Sequence, residues 1–81
     1  MSDINRNSEH PTSLTNDQYV RCLEAAEAFV QKFGSIRNMQ LREITGVGYD
    51  QAIRFFKRAV NENRLTRKGL SSGTHYVAKG E

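Results

Sequence analysis

The chain has 81 residues, of which 37% are hydrophobic and 26% are charged, and its formal net charge is +3. This length fits one small domain with a single core and leaves little room for a cofactor-lined catalytic cavity. No apolar run approaches the roughly 20 residues that span a bilayer, and a single cysteine, Cys22, excludes a disulfide within the chain. We therefore expect a cytoplasmic protein with no membrane segment.

Residues 1–14 are polar and lack a sustained hydrophobic period, which predicts a disordered N-terminal tail before a domain at 15–79. Thr15 and Gln18 have the spacing of a capping box and predict the start of a first helix, which Gly34 ends. Its apolar residues recur at intervals of three and four and predict one buried face. That face comprises Tyr19, Val20, Leu23, Ala26, Val30 and Phe33.

The segment around Ile36 is short and fits either a brief strand or the entry to a second helix. Asn38 is a suitable cap for that helix, and Gly46 stops it. Its predicted apolar contacts are Met39, Leu41 and Ile44. A third helix over 49–61, capped by Gly48 or Tyr49, buries Ala52, Phe55, Phe56, Ala59 and Val60. Two short helices around a glycine turn predict a helix-turn-helix.

The last part of the chain predicts a β-hairpin at 65–78, with its turn between Gly69 and Gly73. A two-stranded hairpin is barely stable alone in water, so we expect it to pack on the helices through Leu65, Tyr76 or Val77, with Ile36 as a candidate third strand. The predicted fold is α+β, a winged helix-turn-helix of three helices and a hairpin wing.

Positive charge is concentrated in the second half of this domain. Residues 46–79 carry seven Lys or Arg against Asp50 and Glu62, whereas residues 15–45 carry four basic and four acidic side chains. Cations on both the third helix and the wing indicate a surface for a polyanion. In a helix-turn-helix the outward residues at the start of the second helix reach base edges, and cations around them contact phosphates.

The residues of the third helix and the wing are assigned on this basis. We predict that Gln51 reads adenine and Arg54 reads guanine in the major groove, with Tyr49 as a further contact beside the bases. Ile53 either touches a thymine methyl group or closes the edge of the core. The predicted phosphate contacts are Lys57, Arg58, Arg67, Lys68, Ser72, Thr74 and His75.

Residues 35–78 resemble the gamma domain of the bacterial DNA translocase FtsK, a winged helix that binds short oriented duplex motifs. The matching positions are Gly48 to Arg54, Leu65, Thr66, Gly69, Gly73 and Val77. The resemblance implies that Tyr49, Gln51 and Arg54 lie on the DNA side. That family has Asn-Arg where this chain has Asp50 and Gln51, so its target sequence does not carry over. In size and layout the chain is also similar to the PapI-like winged-helix regulators of fimbrial operons.

Other functions remain as alternatives. His10 and His75 do not stand at motif spacings from Cys22, and one cysteine with two histidines gives no zinc signature, so we predict no enzyme activity, metal or cofactor. A winged-helix module that binds another protein is one alternative, and an accessory factor in DNA partition or transfer is another. The preferred interpretation is a small regulator of transcription in a bacterium, plasmid or phage. It would bind double-stranded DNA as a homo-oligomer or with a co-regulator protein.

Overall fold

The computed structural model describes residues 13–80. It has three helices, α1 (Asn16–Phe33), α2 (Asn38–Thr45) and α3 (Tyr49–Asn61), followed by two strands, β1 (Leu65–Lys68) and β2 (His75–Ala78). The strands pair antiparallel. This α+β arrangement is consistent with a winged helix and confirms the predicted fold class.

The predicted tail falls mostly outside the described residues, which begin at Ser13. Leu14, which the sequence placed in that tail, packs against the core. Among residues 13–80, no helix combines the length and the apolar character that crossing a bilayer requires.

Helix α1 begins at the predicted capping box. The Thr15 amide donates to Gln18 Oε1 at 2.9 Å, and the Gln18 amide donates to Thr15 Oγ1 at 3.1 Å. Two residues predicted to be buried are instead exposed, Val20 by 44% and Phe33 by 62%. Val20 lies about 100° around the helix from the buried Tyr19, and Phe33 stands in the last turn of α1. The observed buried face comprises Tyr19, Cys22, Leu23, Ala26 and Val30.

Helix α2 begins one residue earlier than predicted. Asn38 is its first helical residue, and the cap is Arg37, whose amide donates to Gln40 Oε1 at 2.8 Å. Leu41 is fully buried, whereas the predicted contacts Met39 and Ile44 are about half exposed. A helix of about two turns therefore places a single fully buried side chain in the core.

Helix α3 supplies the largest buried side chains. Phe55 and Phe56 are almost completely buried, and their rings meet edge to face with centroids 5.1 Å apart. The Tyr19 ring of α1 lies 5.5 Å from the Phe55 ring, so α1 and α3 share one aromatic cluster. Val60, predicted to be buried with them, is only half-buried.

The hairpin is fixed to the helices at its base. Ile36 and Tyr76 exchange two backbone hydrogen bonds of 2.9 Å and form an isolated β-bridge, so the segment around Ile36 pairs with the hairpin at one residue and does not form a third strand. Tyr76 also stacks on Phe56, with ring centroids 3.9 Å apart and planes inclined by 5°. Leu65, at the start of β1, is buried in the core. Strand β2 consequently lies between Ile36 and β1, and the helices supply the support that an isolated hairpin lacks.

Candidate nucleic-acid interface

A three-residue glycine turn positions α3 against α2. Gly46 ends α2 at φ +82°, a left-handed conformation that favours glycine, and its amide donates to Arg42 O at 2.8 Å. Gly48 caps α3, and its amide donates to Gln51 Oε1 at 3.0 Å. The two helices and this turn form the predicted helix-turn-helix.

Gln51 does not lie on the exposed face of α3. It is only 8% exposed, and besides accepting from Gly48 its Nε2 donates to Ser13 O at 3.3 Å. Both ends of the amide are used inside the protein, so the prediction that Gln51 points outward to read adenine is wrong. Its place three residues after the cap is the sequence signal for the role it has, since Gln18 occupies the same position after Thr15.

The outward face of α3 carries the other two predicted base contacts. Tyr49 is 59% exposed, and Arg54, five residues later, is exposed as well. Ile53 is 41% exposed, so it belongs to this face as well as to the edge of the core. The exposed residues of α3 are Tyr49, Asp50, Ile53, Arg54, Lys57 and Asn61.

A groove of about 300 Å³ separates α3 from the wing, which is the hairpin at 65–78. Its apolar lining includes Phe56 and Tyr76, and its exposed cations are Lys57 from α3 and Arg67 from β1. Lys68, the next residue of β1, is exposed too. Cations from two separate pieces of chain therefore border one concave surface.

Two of the predicted phosphate donors, Thr74 and His75, make hydrogen bonds within the turn of the wing. Thr74 Oγ1 donates its one hydroxyl proton to Ser71 O at 2.8 Å and accepts from Arg67 Nη2 at 3.4 Å. His75 Nδ1 lies 2.8 Å from Gly73 O, and because a carbonyl oxygen only accepts, Nδ1 carries the proton. Thr74 therefore uses its only hydroxyl proton within the turn, and the structure does not support it as a direct phosphate donor. The phosphate contact of His75 stays a prediction, because the hydrogen bond to Gly73 O involves only one of its two ring nitrogens. Ser72 remains exposed.

Arg58, also predicted to contact phosphate, lies against α1. Its guanidinium is 3.8 Å from the centroid of the Tyr19 ring, and its Nε donates to Glu62 Oε2 at 2.9 Å. The charge of Arg58 is thus already paired, unlike the exposed cations Arg54 and Lys57, for which the described part of the chain contains no ion pair. Arg58 is therefore a predicted phosphate contact that is already paired within the protein, while its side chain remains 41% exposed.

Two arginines that the charge count assigned to the neutral half of the domain lie beside the candidate interface. The Arg42 guanidinium is 5.4 Å from the centroid of the Tyr49 ring, and its Nε donates to Asn38 Oδ1 at 2.6 Å. Arg37 Nη1 donates to the backbone oxygen of Ser72 at 3.4 Å, in the wing turn. The sequence contains one signal for Arg42, because Asn38 stands four residues before it on the same helix face.

No protein-family model and no curated protein sequence matches the chain. A solved structure with a similar shape is the crystal structure of the DIP2311 protein from Corynebacterium diphtheriae, which superposes with a TM-score of 0.69 at 20% sequence identity. The match covers 74% of this chain and 11% of that protein, so the chain spans about a ninth of the neighbour's length. At this identity the similarity concerns the fold alone, and it agrees with the architecture of three helices and a hairpin.

Proposed function

We propose that this protein binds double-stranded DNA, with α3 in the major groove and the wing on the flanking backbone. The observation that carries the proposal is the groove bordered by Lys57 of α3 and Arg67 of β1. A sugar–phosphate backbone presents apolar sugar faces and anionic phosphates. The sugar faces complement the exposed Ile53 and the half-buried Tyr76 of the groove lining, and the phosphates complement the two cations.

The exposed residues divide into two roles. Arg54, in the first half of α3, reads the two acceptors of guanine, and Tyr49 contacts the adjacent base or its backbone. Lys57, Arg67, Lys68 and Ser72 contact phosphates, and Arg42 joins them beside Tyr49. Asp50 stabilises the positive end of the α3 dipole and takes no part in phosphate binding.

Regulation would follow from occupancy of a promoter, since bound protein blocks or recruits other factors. One such domain offers an interface of roughly 600–1,000 Å², so specific binding calls for several copies on adjacent sites or a co-regulator protein. A small cytoplasmic regulator of transcription in a bacterium or mobile element fits these properties. The resemblance to the FtsK gamma domain and the PapI-like regulators supports the same class.

The first experiment is a selection for binding on random duplex DNA, followed by affinity measurements across a range of salt concentrations. We expect an enriched short motif and a salt slope of about −3 to −4, because four cations are assigned to phosphates and each contributes about −0.9. Affinity that does not change with salt would contradict DNA binding and favour a protein partner.

Two variants then test the division of roles. Arg54→Ala should lose about 1–3 kcal/mol of discrimination at one base position, whereas Lys68→Ala should weaken all sequences alike and reduce the slope by about 0.9. Lys32→Ala is the matched control, because it removes one charge from the exposed side of α1. Identical behaviour of the Arg54 and Lys68 variants would show that the assignment of roles is wrong.

A further inference from the structure

Arg58 is held by residues of two helices at the end of α3. Its Nε donates to Glu62 Oε2 at 2.9 Å, and its Nη2 donates to Asn16 Oδ1 at 3.2 Å. The flat guanidinium also lies over the Tyr19 ring, 3.8 Å from its centroid. We call these four residues, Arg58, Glu62, Asn16 and Tyr19, the Arg58 clamp.

Glu62 is the centre of this clamp. Tyr19 Oη donates to Glu62 Oε1 at 3.0 Å, so the carboxylate receives one hydrogen bond from α1 and one from α3. These two donors, Arg58 first and Tyr19 second, lower the pKa of Glu62. Tyr19 itself is buried and packs on Phe55, which fixes the position of its hydroxyl group. The carboxylate therefore remains charged and in place at neutral pH.

Arg58 nevertheless belongs to the basic surface by position. It lines a shallow recess together with Arg54 and Lys57, and it lies one helical turn beyond Arg54. An arginine side chain released at this point would lie beside the two exposed cations of the same recess. The clamp therefore separates Arg58 from cations that are close to it on the helix.

On the basis of the proposed DNA binding, we propose that Glu62 is a positioning residue that keeps Arg58 away from the DNA backbone. It thereby sets the number of phosphates that α3 contacts. A phosphate contact is independent of sequence and raises affinity for every duplex, so releasing Arg58 strengthens binding to all DNA alike.

The test is a double-mutant cycle of Glu62→Ala, Arg58→Ala and both together, with affinity for duplex DNA measured from 50 to 200 mM salt. Glu62→Ala should make the salt slope more negative by about 0.9, which corresponds to a gain of about eightfold in affinity at 0.1 M salt. Arg58→Ala alone should leave the slope unchanged. The double variant should match Arg58→Ala, because the gain requires a free Arg58.

Three results would overturn the inference. One is a slope unchanged in Glu62→Ala, and another is a slope reduced in Arg58→Ala, which would mean that clamped Arg58 already contacts phosphate. The third is a gain that persists in the double variant, which would come from net charge alone. Glu24→Ala, which removes an equal charge from the exposed side of α1, measures that general effect.

A measurement without DNA tests the clamp itself. In the wild type, the Arg58 Nε–H donates a hydrogen bond to the Glu62 carboxylate, so its proton should give an observable NMR signal and exchange slowly with water at neutral pH. Glu62→Ala should abolish that protection while the helical circular dichroism is retained, and a signal that is unaffected would contradict the clamp. If the wild-type protein binds no DNA, the proposed function is refuted. If it binds DNA but the double-mutant cycle shows no coupling between Glu62 and Arg58, only the role of Glu62 is refuted.

Discussion

Two glycines with the same backbone angle offer a matched test of the wing turn. Gly46 and Gly69 both have φ +82°, so alanine at either position pays the cost of a left-handed conformation, about 1–2 kcal/mol. The two sites differ in their surroundings. A Cβ at Gly46 meets nothing within 4 Å, whereas at Gly69 it lies 2.9 Å from the carbonyl carbon of Gly73 and closer still to its oxygen.

The additional destabilisation at Gly69 arises because the backbone of Gly73 must move to make room for the Cβ. Both atoms of the collision are backbone, so Gly69→Ala has to open the turn and break the 2.8 Å hydrogen bond from the Gly73 amide to Leu70 O. The contact of His75 with Gly73 O is lost with it. At about 0.5–1.5 kcal/mol for each hydrogen bond, Gly69→Ala should destabilise the domain by roughly 1–3 kcal/mol more than Gly46→Ala.

Urea and thermal unfolding of both variants measure this difference. For a domain of this size, 1 kcal/mol corresponds to about 4–8 °C in Tm. Gly73→Ala is the control within the same turn. A Cβ at this position meets nothing within 4 Å and the φ of Gly73 is not positive, so the substitution should change stability by less than about 0.5 kcal/mol. Equal destabilisation by Gly46→Ala and Gly69→Ala would refute the close approach of the two sides of the turn.

Two further predictions concern titratable side chains in and near the core. The lowered pKa of Glu62 means that the stability contributed by its charge is complete above the unfolded-state pKa of about 4.3 and is lost as pH falls through the folded value. The stability advantage of wild type over Glu62→Ala should therefore be constant above about pH 5 and decrease on acidification. A difference that grows on acidification would contradict the clamp geometry. Burial raises the pKa of the Cys22 thiol, and its side chain is almost fully enclosed, so a thiol reagent should label it at neutral pH only as fast as the domain unfolds. Labelling at the rate of the urea-unfolded chain would show that the core is open at α1.

The fold was predictable because its boundaries depend on local chemistry. Thr15 with Gln18 and the glycines at positions 34 and 46 act through hydrogen bonds and backbone angles within a few residues, and each ends or begins a helix as the sequence indicates. The hairpin was predictable for the same reason. The attachment through Ile36 is not determined by local chemistry, because it depends on a pairing with Tyr76 across 40 residues.

The prediction of the candidate site was less complete, because side-chain partners come from distant parts of the chain. The polarity of Gln51 predicts an exposed side chain. The side-chain amide is instead buried, where it accepts a hydrogen bond from the Gly48 amide and donates one to the Ser13 carbonyl. Arg58 follows the same principle, because its partners Asn16 and Tyr19 precede it by about 40 residues. Counting charges along the sequence likewise does not predict that Arg42 lies next to Tyr49.

The order of synthesis gives the position of β2 a consequence for folding on the ribosome. Strand β2 pairs with β1 on one side and bridges to Ile36 on the other, and it is the last described strand to be made. Neither Ile36 nor β1 therefore has a pairing partner until residues 75–78 have left the exit tunnel. Until then Phe56 lacks the Tyr76 ring that covers it. The helices can collapse early, but the nascent domain keeps an unpaired strand and an open aromatic surface until the final residues of β2 join it.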